Sequence, residues 1–243
     1  MKKLTIMFFV VFSINAMAQT LKDCSTCSTQ TIQTDQIKDL SIDEIRILTN
    51  EIFARNGYVF ENGRFQYYFE GKPWYKSKND NKKVTFNNVE EQNIKLFQEK
   101  TKQLKSEQEE LIKQLKQFKV LVIADNKAEL KSKFNFFYEN PKDDFESKYL
   151  KEVLKKIDFD DVNYYKNKGL HSLMTDNGFV KIVNELSIEG NNVTFSYNYM
   201  AMSEIIEDFN EFTDYHSESE FSYNWQFQFK NNKLKFIRLA IAG

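Results

Sequence analysis

Glycine and proline are scarce, at 7 and 2 in 243 residues. With so few breakers, most of the globular chain belongs in regular elements able to bury a core. Histidine is rarer than chemistry usually needs. His171 and His216 are the only two, far apart and in no metal-spaced pattern such as H-E-x-x-H. The chain also has no phosphate-cradling glycine loop and no G-x-S-x-G. A recognisable catalytic set is missing, so the residues point away from an enzyme. No excess of positive charge exists either: 34 Lys+Arg stand against 35 Asp+Glu. This balance argues against a nucleic-acid binder held by phosphate contacts. Neither a cofactor nor a metal is expected.

Long hydrophobic runs are absent after the first 18 residues, so no transmembrane span is expected in the mature chain. Those first residues are distinctive. Lys2 and Lys3 precede "LTIMFFVVFSI", and "AMA" puts small residues at Ala16 and Ala18. This is the pattern of a secretory signal peptide over residues 1–18, cleaved between Ala18 and Gln19. The apolar core is short for an uncleaved anchor, which needs ~20 residues. Asp23 directly before Cys24 speaks against lipidation of that cysteine. Export places the protein in the periplasm or outside the cell.

Only two cysteines occur, Cys24 and Cys27 in "CSTC". In an exported chain an even pair reads first as a disulfide, either local or between molecules. A redox Cys-x-x-Cys normally opens a helix after a strand, and the polar, aperiodic surroundings here do not suggest one. Residues 19–40 are therefore expected to be a flexible leader.

Aromatic residues are what the chain does have: 23 Phe, 12 Tyr and 2 Trp. "SIDE" at residues 41–44 fits a capping box. Ile42, Ile45, Leu48, Ile52 and Phe53 then share one helical face, and Asn56-Gly57 ends the helix near Arg55. "FQYYF" gives a second short helix closed by Gly71, followed by the cluster Pro73-Trp74-Tyr75.

The stretch "LSIDEIRILTNEIFARNGYVFENGRFQYYFEGKPWYKSKND" resembles the YARHG domain, a small module of exported bacterial proteins. The likeness runs over roughly residues 40–102, the helical module being 41–102, and is carried by Glu51, the motif Phe53-Ala54-Arg55-Asn56-Gly57, and Trp74. Phe53 and Asn56 stand where the family usually has Tyr and His. The second change removes the one motif side chain that titrates near neutrality. The resemblance implies an exported location and a mainly structural motif; the family's molecular function is unknown. Arg55 lies four residues after Glu51, in the last turn of its helix, and could stack on Trp74 or Tyr75. The alternative is a clamp for an anionic envelope polymer.

Residues 103–119 carry Leu104, Leu111, Leu115 and Phe118 on one stripe. A connector helix packed on the next domain fits better than a coiled coil, because the seam covers barely two heptads. Residues 120–243 first continue in helical patterns, with a break at Asp125-Asn126 and a helix in "FESKYLKEVLKKIDF". Two strands then flank Gly190-Asn191-Asn192. In "FSYNWQFQF" every odd position from Phe221 to Phe229 is aromatic, and Asn231-Asn232 turns the chain into "KLKFIRLAIA". The expected class is α+β: a small all-α module, a long connector helix, and a C-terminal antiparallel sheet curved around a helix. The pattern of this last part is similar to NTF2-like or cystatin-like domains.

A pocket in such a domain would be lined by Tyr223, Trp225, Phe227 and His171, unless those rings simply bury against the helix. His171 with Asp176, or His216 with its acidic neighbours, could form a polar dyad. From Ile182 to Phe229 there is no Lys or Arg, while nine acids are present. They suit a solvated loop better than Ca²⁺ or a basic partner, for they lack EF-hand order. The function expected is a non-enzymatic binding protein of the cell envelope, with an envelope polymer or protein as partner. The alternative is a hydrolase-type pocket enzyme in the C-terminal domain.

Overall fold

The computed structural model describes residues 20–140, 144–178, 180–200 and 220–243. The signal-peptide expectation, including Ala18 and Gln19, lies outside these residues, as does His216 with most of the acidic stretch. The chain divides into two compact units. One holds the residues up to Asp39 with Leu48–Leu96, the other Leu40–Ile47 with Phe97–Gly243. The long helix expected from the heptad-like stripe is continuous over both, so a boundary at residue 102 falls inside it.

In the first unit, residues 20–40 pack where a flexible leader was expected. Cys24 and Cys27 are buried and joined by a disulfide, and Ile32 and Ile37 are buried too. A four-residue helix, α1 (Thr34–Ile37), follows. Its anchor is Asn93, fully buried, whose Oδ1 accepts the Ile32 N–H at 2.8 Å. Asn93 Nδ2 donates to the carbonyls of Cys27 and Gln30, both at 2.9 Å. These bonds join positions more than sixty apart, a distance over which local patterning says nothing.

Helix α2 (Ile42–Arg55) has the expected span. Glu44 N–H donates to Ser41 Oγ at 3.3 Å, and the Glu44 carboxylate accepts from the Ser41 N–H and hydroxyl at 2.9 and 2.7 Å. Those bonds hold the Glu44 carboxyl below the usual range. At the other end the Tyr58 N–H bonds to Phe53 O and the Gly57 N–H to Ala54 O. That is a Schellman ending, and the Phe53 and Tyr58 rings meet edge-on at 5.5 Å, the apolar contact that accompanies it. Gly57 sits at φ +82°, and a Cβ there would lie 2.8 Å from the Lys76 carbonyl oxygen. Only glycine fits. Helix α3 (Gly63–Glu70) follows, started by the Asn62 side chain, and α4 (Asn88–Ile123) closes the unit.

In the second unit α4 runs on for a total of 36 residues to Ile123, and Asp125 just beyond it lies in the left-handed region. Helices α5 (Lys127–Phe134) and α6 (Phe145–Lys156) come next. Six strands then form one open antiparallel sheet in simple chain order: β1 (Asn163–Tyr165), β2 (Lys168–Asp176), β3 (Lys181–Glu189), β4 (Asn192–Met200), β5 (Phe221–Lys230) and β6 (Lys233–Ala242). The class is α+β, as the order of patterns implied. Strands β1 and β2 did not show in the sequence, for their hairpin turns on Lys166-Asn167, without glycine, and β2 lacks apolar alternation.

Inward residues of the sheet meet the helices in one apolar core. Phe118 of α4 lies among Phe134, Phe136, Phe195 and Phe227 at ring distances of 5.0–6.1 Å. Leu150, Val153 and Leu154 of α6 join the same core. Burying each of these large side chains contributes roughly 1.5–3 kcal/mol.

Candidate functional site

The end of α2 builds one wall of a cleft. Arg55, in the last helical turn, directs Nε and Nη2 to the same Glu51 oxygen, at 2.9 and 2.6 Å. Glu51 is buried, so the pair is partly shielded from solvent, and the Arg55 side chain keeps 27 % exposure. The guanidinium also lies over the Trp74 ring at 4.1 Å. Spacing i, i+4 supplies the acid, and the loop after α3 supplies the ring. Arg55 Nη1 has no hydrogen-bond partner among the described residues.

Asn56 is tied down on both sides. Its Nδ2 donates to the Ile52 carbonyl at 3.0 Å and to Glu90 Oε1 at 2.9 Å. Glu90, buried at the start of α4, accepts the Asn87 N–H on its other oxygen at 2.9 Å. Asn87 in turn caps α4 through Val89 and Glu90 N–H and donates to the Ser28 carbonyl. So Asn56 does by a neutral amide what holds the helix end to α4. Nothing about that position needs a proton to move.

Between these groups lies a cleft of about 560 Å³, lined by the Cys24–Cys27 turn with Ser25 and Ser28, by Arg55 and Asn56, and by Thr85, Phe86, Asn87 and Glu90. Sequence reading found Arg55 and Asn56 but missed Asn87 and Glu90, which come from 31 or more positions away and carry no motif signal.

The other expected pocket residues are placed differently. Trp225 and Phe227 are fully buried in the core of the sheet unit, and neither lines any of the clefts found among the described residues. Tyr223 is half-buried in a ring cluster where Tyr149 stacks on Tyr197 at 4.3 Å. His171 lies on β2 beside Leu186, and its buried Nδ1 has no hydrogen-bond partner among the described residues. Asp176 is five positions along the same strand, hence on the opposite face, so the His171–Asp176 dyad does not form. Among the described residues no group of three His, Cys, Asp or Glu could hold a metal.

One buried acid stands out in that unit. Glu146 is fully buried; one oxygen accepts the Asn140 N–H at 2.9 Å and the other has no hydrogen-bond partner among the described residues. Burial pushes its carboxyl above the usual range, against the smaller pull of the Asn140 N–H and of the Trp225 indole. The indole N–H lies near the carboxyl without completing a hydrogen bond.

The arrangement defines a class: an α+β chain whose small helical module presents a polar cleft beside a disulfide. Residues 22–102 match the family model of the YARHG domain, starting well before residue 41, in keeping with the packed Cys24–Cys27 segment. That domain is typically found in exported proteins and has no known molecular function. Neither the curated proteins nor the solved structures gave a match, so the NTF2-like or cystatin-like likeness rests on strand patterning alone. Among the described residues no helix is long and apolar enough to cross a membrane.

Proposed function

We propose that this is an exported cell-envelope protein that binds rather than catalyses, and that the cleft beside Arg55 receives an anionic segment of an envelope polymer. The observation that carries the reading is Arg55 Nη1, without a hydrogen-bond partner among the described residues, on the wall of a cleft where the Asn56, Asn87 and Glu90 side chains are held in fixed bonds. A guanidinium already oriented by Glu51 and Trp74 loses little freedom on accepting a carboxylate or phosphate. Export is supported by the family match, by the signal-like residues 1–18, and by a disulfide suited to an oxidising compartment.

The test is co-sedimentation with purified peptidoglycan. Wild-type protein should pellet with it, and Thr85→Trp, which fills the cleft without touching the Arg55 pair, should bind at least about tenfold more weakly. Failure of the wild type to pellet, or equal binding by the filled variant, would count against the reading. A second reading, a hydrolase-type pocket in the sheet unit, is favoured by the unpartnered Nδ1 of His171. Loss of a hydrolytic activity in His171→Ala would support it, and turnover unchanged by His171→Ala with His216→Ala would end it.

A further inference from the structure

The cleft beside Arg55 carries more acid than base. Arg55 is the one cation among its lining residues, and Glu51 already accepts from its Nε and Nη2. Glu90 is an acid on the same lining. It is buried, and its hydrogen-bond donors are neutral: the Asn56 amide on Oε1 and the Asn87 N–H on Oε2, both at 2.9 Å. A third acid, Asp23, directly precedes the disulfide turn. Hydrogen bonds from Ser25 hold its carboxyl below the usual range, and the Arg55 guanidinium adds a smaller pull. One guanidinium thus stands among three carboxylates: Glu51 in contact, Glu90 beyond the Asn56 side chain, and Asp23 farther out.

That balance decides which anion fits. A cube of about 560 Å³ is only ~8 Å on a side, one Debye length at physiological salt, so every charge on the lining acts on whatever enters. A phosphodiester chain would gain Arg55 Nη1 but would bring repeated negative charge against Glu90 and Asp23. A ligand with one carboxylate and an ammonium beside it meets no such opposition. Its carboxylate takes Nη1. Its ammonium takes Glu90, each of whose oxygens keeps a lone pair after its one bond. The two ends are close together, because Arg55 and Asn56 are consecutive and Asn56 Nδ2 is bonded to Glu90. The bond from the Asn87 N–H, at the start of α4, fixes the Glu90 carboxylate before any ligand arrives.

We propose that the group received is the head of an α-amino acid, carboxylate and ammonium on one carbon, carried on the envelope polymer by its side chain. This rests on the cleft reading given above and names the ligand class for the same site. Ser25, Ser28, Thr85 and Phe86 line the remainder, hydroxyls and one ring suited to an amide-bearing stem.

Isothermal titration calorimetry of the purified protein with three matched probes tests this. Nδ-acetylornithine presents the free head, Nα,Nδ-diacetylornithine lacks the ammonium, and Nδ-acetylornithine amide lacks the carboxylate. The free head should bind at least about tenfold more tightly than either of the others. Glu90→Gln, checked for an unchanged melting midpoint, should bring the free head down to the level of the diacetyl probe and leave that probe's own affinity as it was. The free head should also release wild-type protein from sedimented peptidoglycan at a concentration where the diacetyl probe does not. Equal binding of the free head and the diacetyl probe overturns the amino-acid ligand and leaves the envelope reading standing. So does a free head that fails to bind a protein that pellets with peptidoglycan, or one that binds Glu90→Gln undiminished. Binding of the free head without pelleting would keep the ligand chemistry and overturn its attachment to a polymer. A wild type that neither pellets nor binds any probe removes both readings.

Discussion

The most deeply buried polar side chains of the two units, Asn93 in one and Glu146 in the other, are treated in opposite ways. Asn93 makes three hydrogen bonds, to Ile32, Cys27 and Gln30, and so fastens the first segment of the chain to α4. Glu146 is buried as completely in the sheet unit, yet one oxygen is left unbonded. The module is small and is held by directional contacts: a disulfide, a Schellman ending, an asparagine anchor and an ion pair under a ring. The sheet unit has a broad aromatic core and tolerates an unsatisfied carboxyl. Where apolar burial is limited, polar geometry fixes the structure; where it is ample, a polar defect is carried.

Substitutions break this contrast in a ranked order. Phe118→Ala should cost the sheet unit about 3–5 kcal/mol in urea unfolding, because it removes the ring at the centre of four others. Gly57→Val should cost the module about 2–3 kcal/mol, from the left-handed backbone and the collision with the Lys76 carbonyl. Thermal melts that leave this variant level with wild type would remove the cap assignment. Asn93→Leu should cost roughly 2 kcal/mol and raise the protease sensitivity of residues 20–40, since two carbonyls and an N–H lose their partners.

The smallest effect sharpens the comparison through pH. A carboxyl whose folded pKa is raised above its unfolded value leaves stability intact at low pH and lowers it as pH rises through the folded pKa. Glu146 is such a group. Wild type should therefore lose melting temperature relative to Glu146→Gln as pH rises above the ordinary glutamate range, about 4.3, with the gap closing below it. A gap independent of pH would mean that Glu146 is not the titrating group.

The parts legible in the sequence were those written in local code. The Ser41–Glu44 box, the Asn56-Gly57 ending and the alternating rings of β5 follow from spacings of two to four residues. The β1–β2 hairpin escaped because an edge strand half open to solvent needs no apolar alternation. Residues 20–40 looked loose because what fixes them, Asn93, lies on another element. The same holds for the site. Arg55, Glu51 and Trp74 sit within one motif-bearing stretch, whereas Glu90 and Asn87 reach Asn56 and Ser28 only once the chain has folded.

The claim on which the cleft depends is that Glu51 and Trp74 hold Arg55 in place. A double-mutant cycle on Glu51→Gln and Arg55→Met, read by urea unfolding, tests it most directly. The account predicts a coupling of at least about 0.5 kcal/mol, larger with Trp74 present than in a Trp74→Leu background. Additive losses, with no coupling in either background, would show the guanidinium to be unrestrained and contradict it.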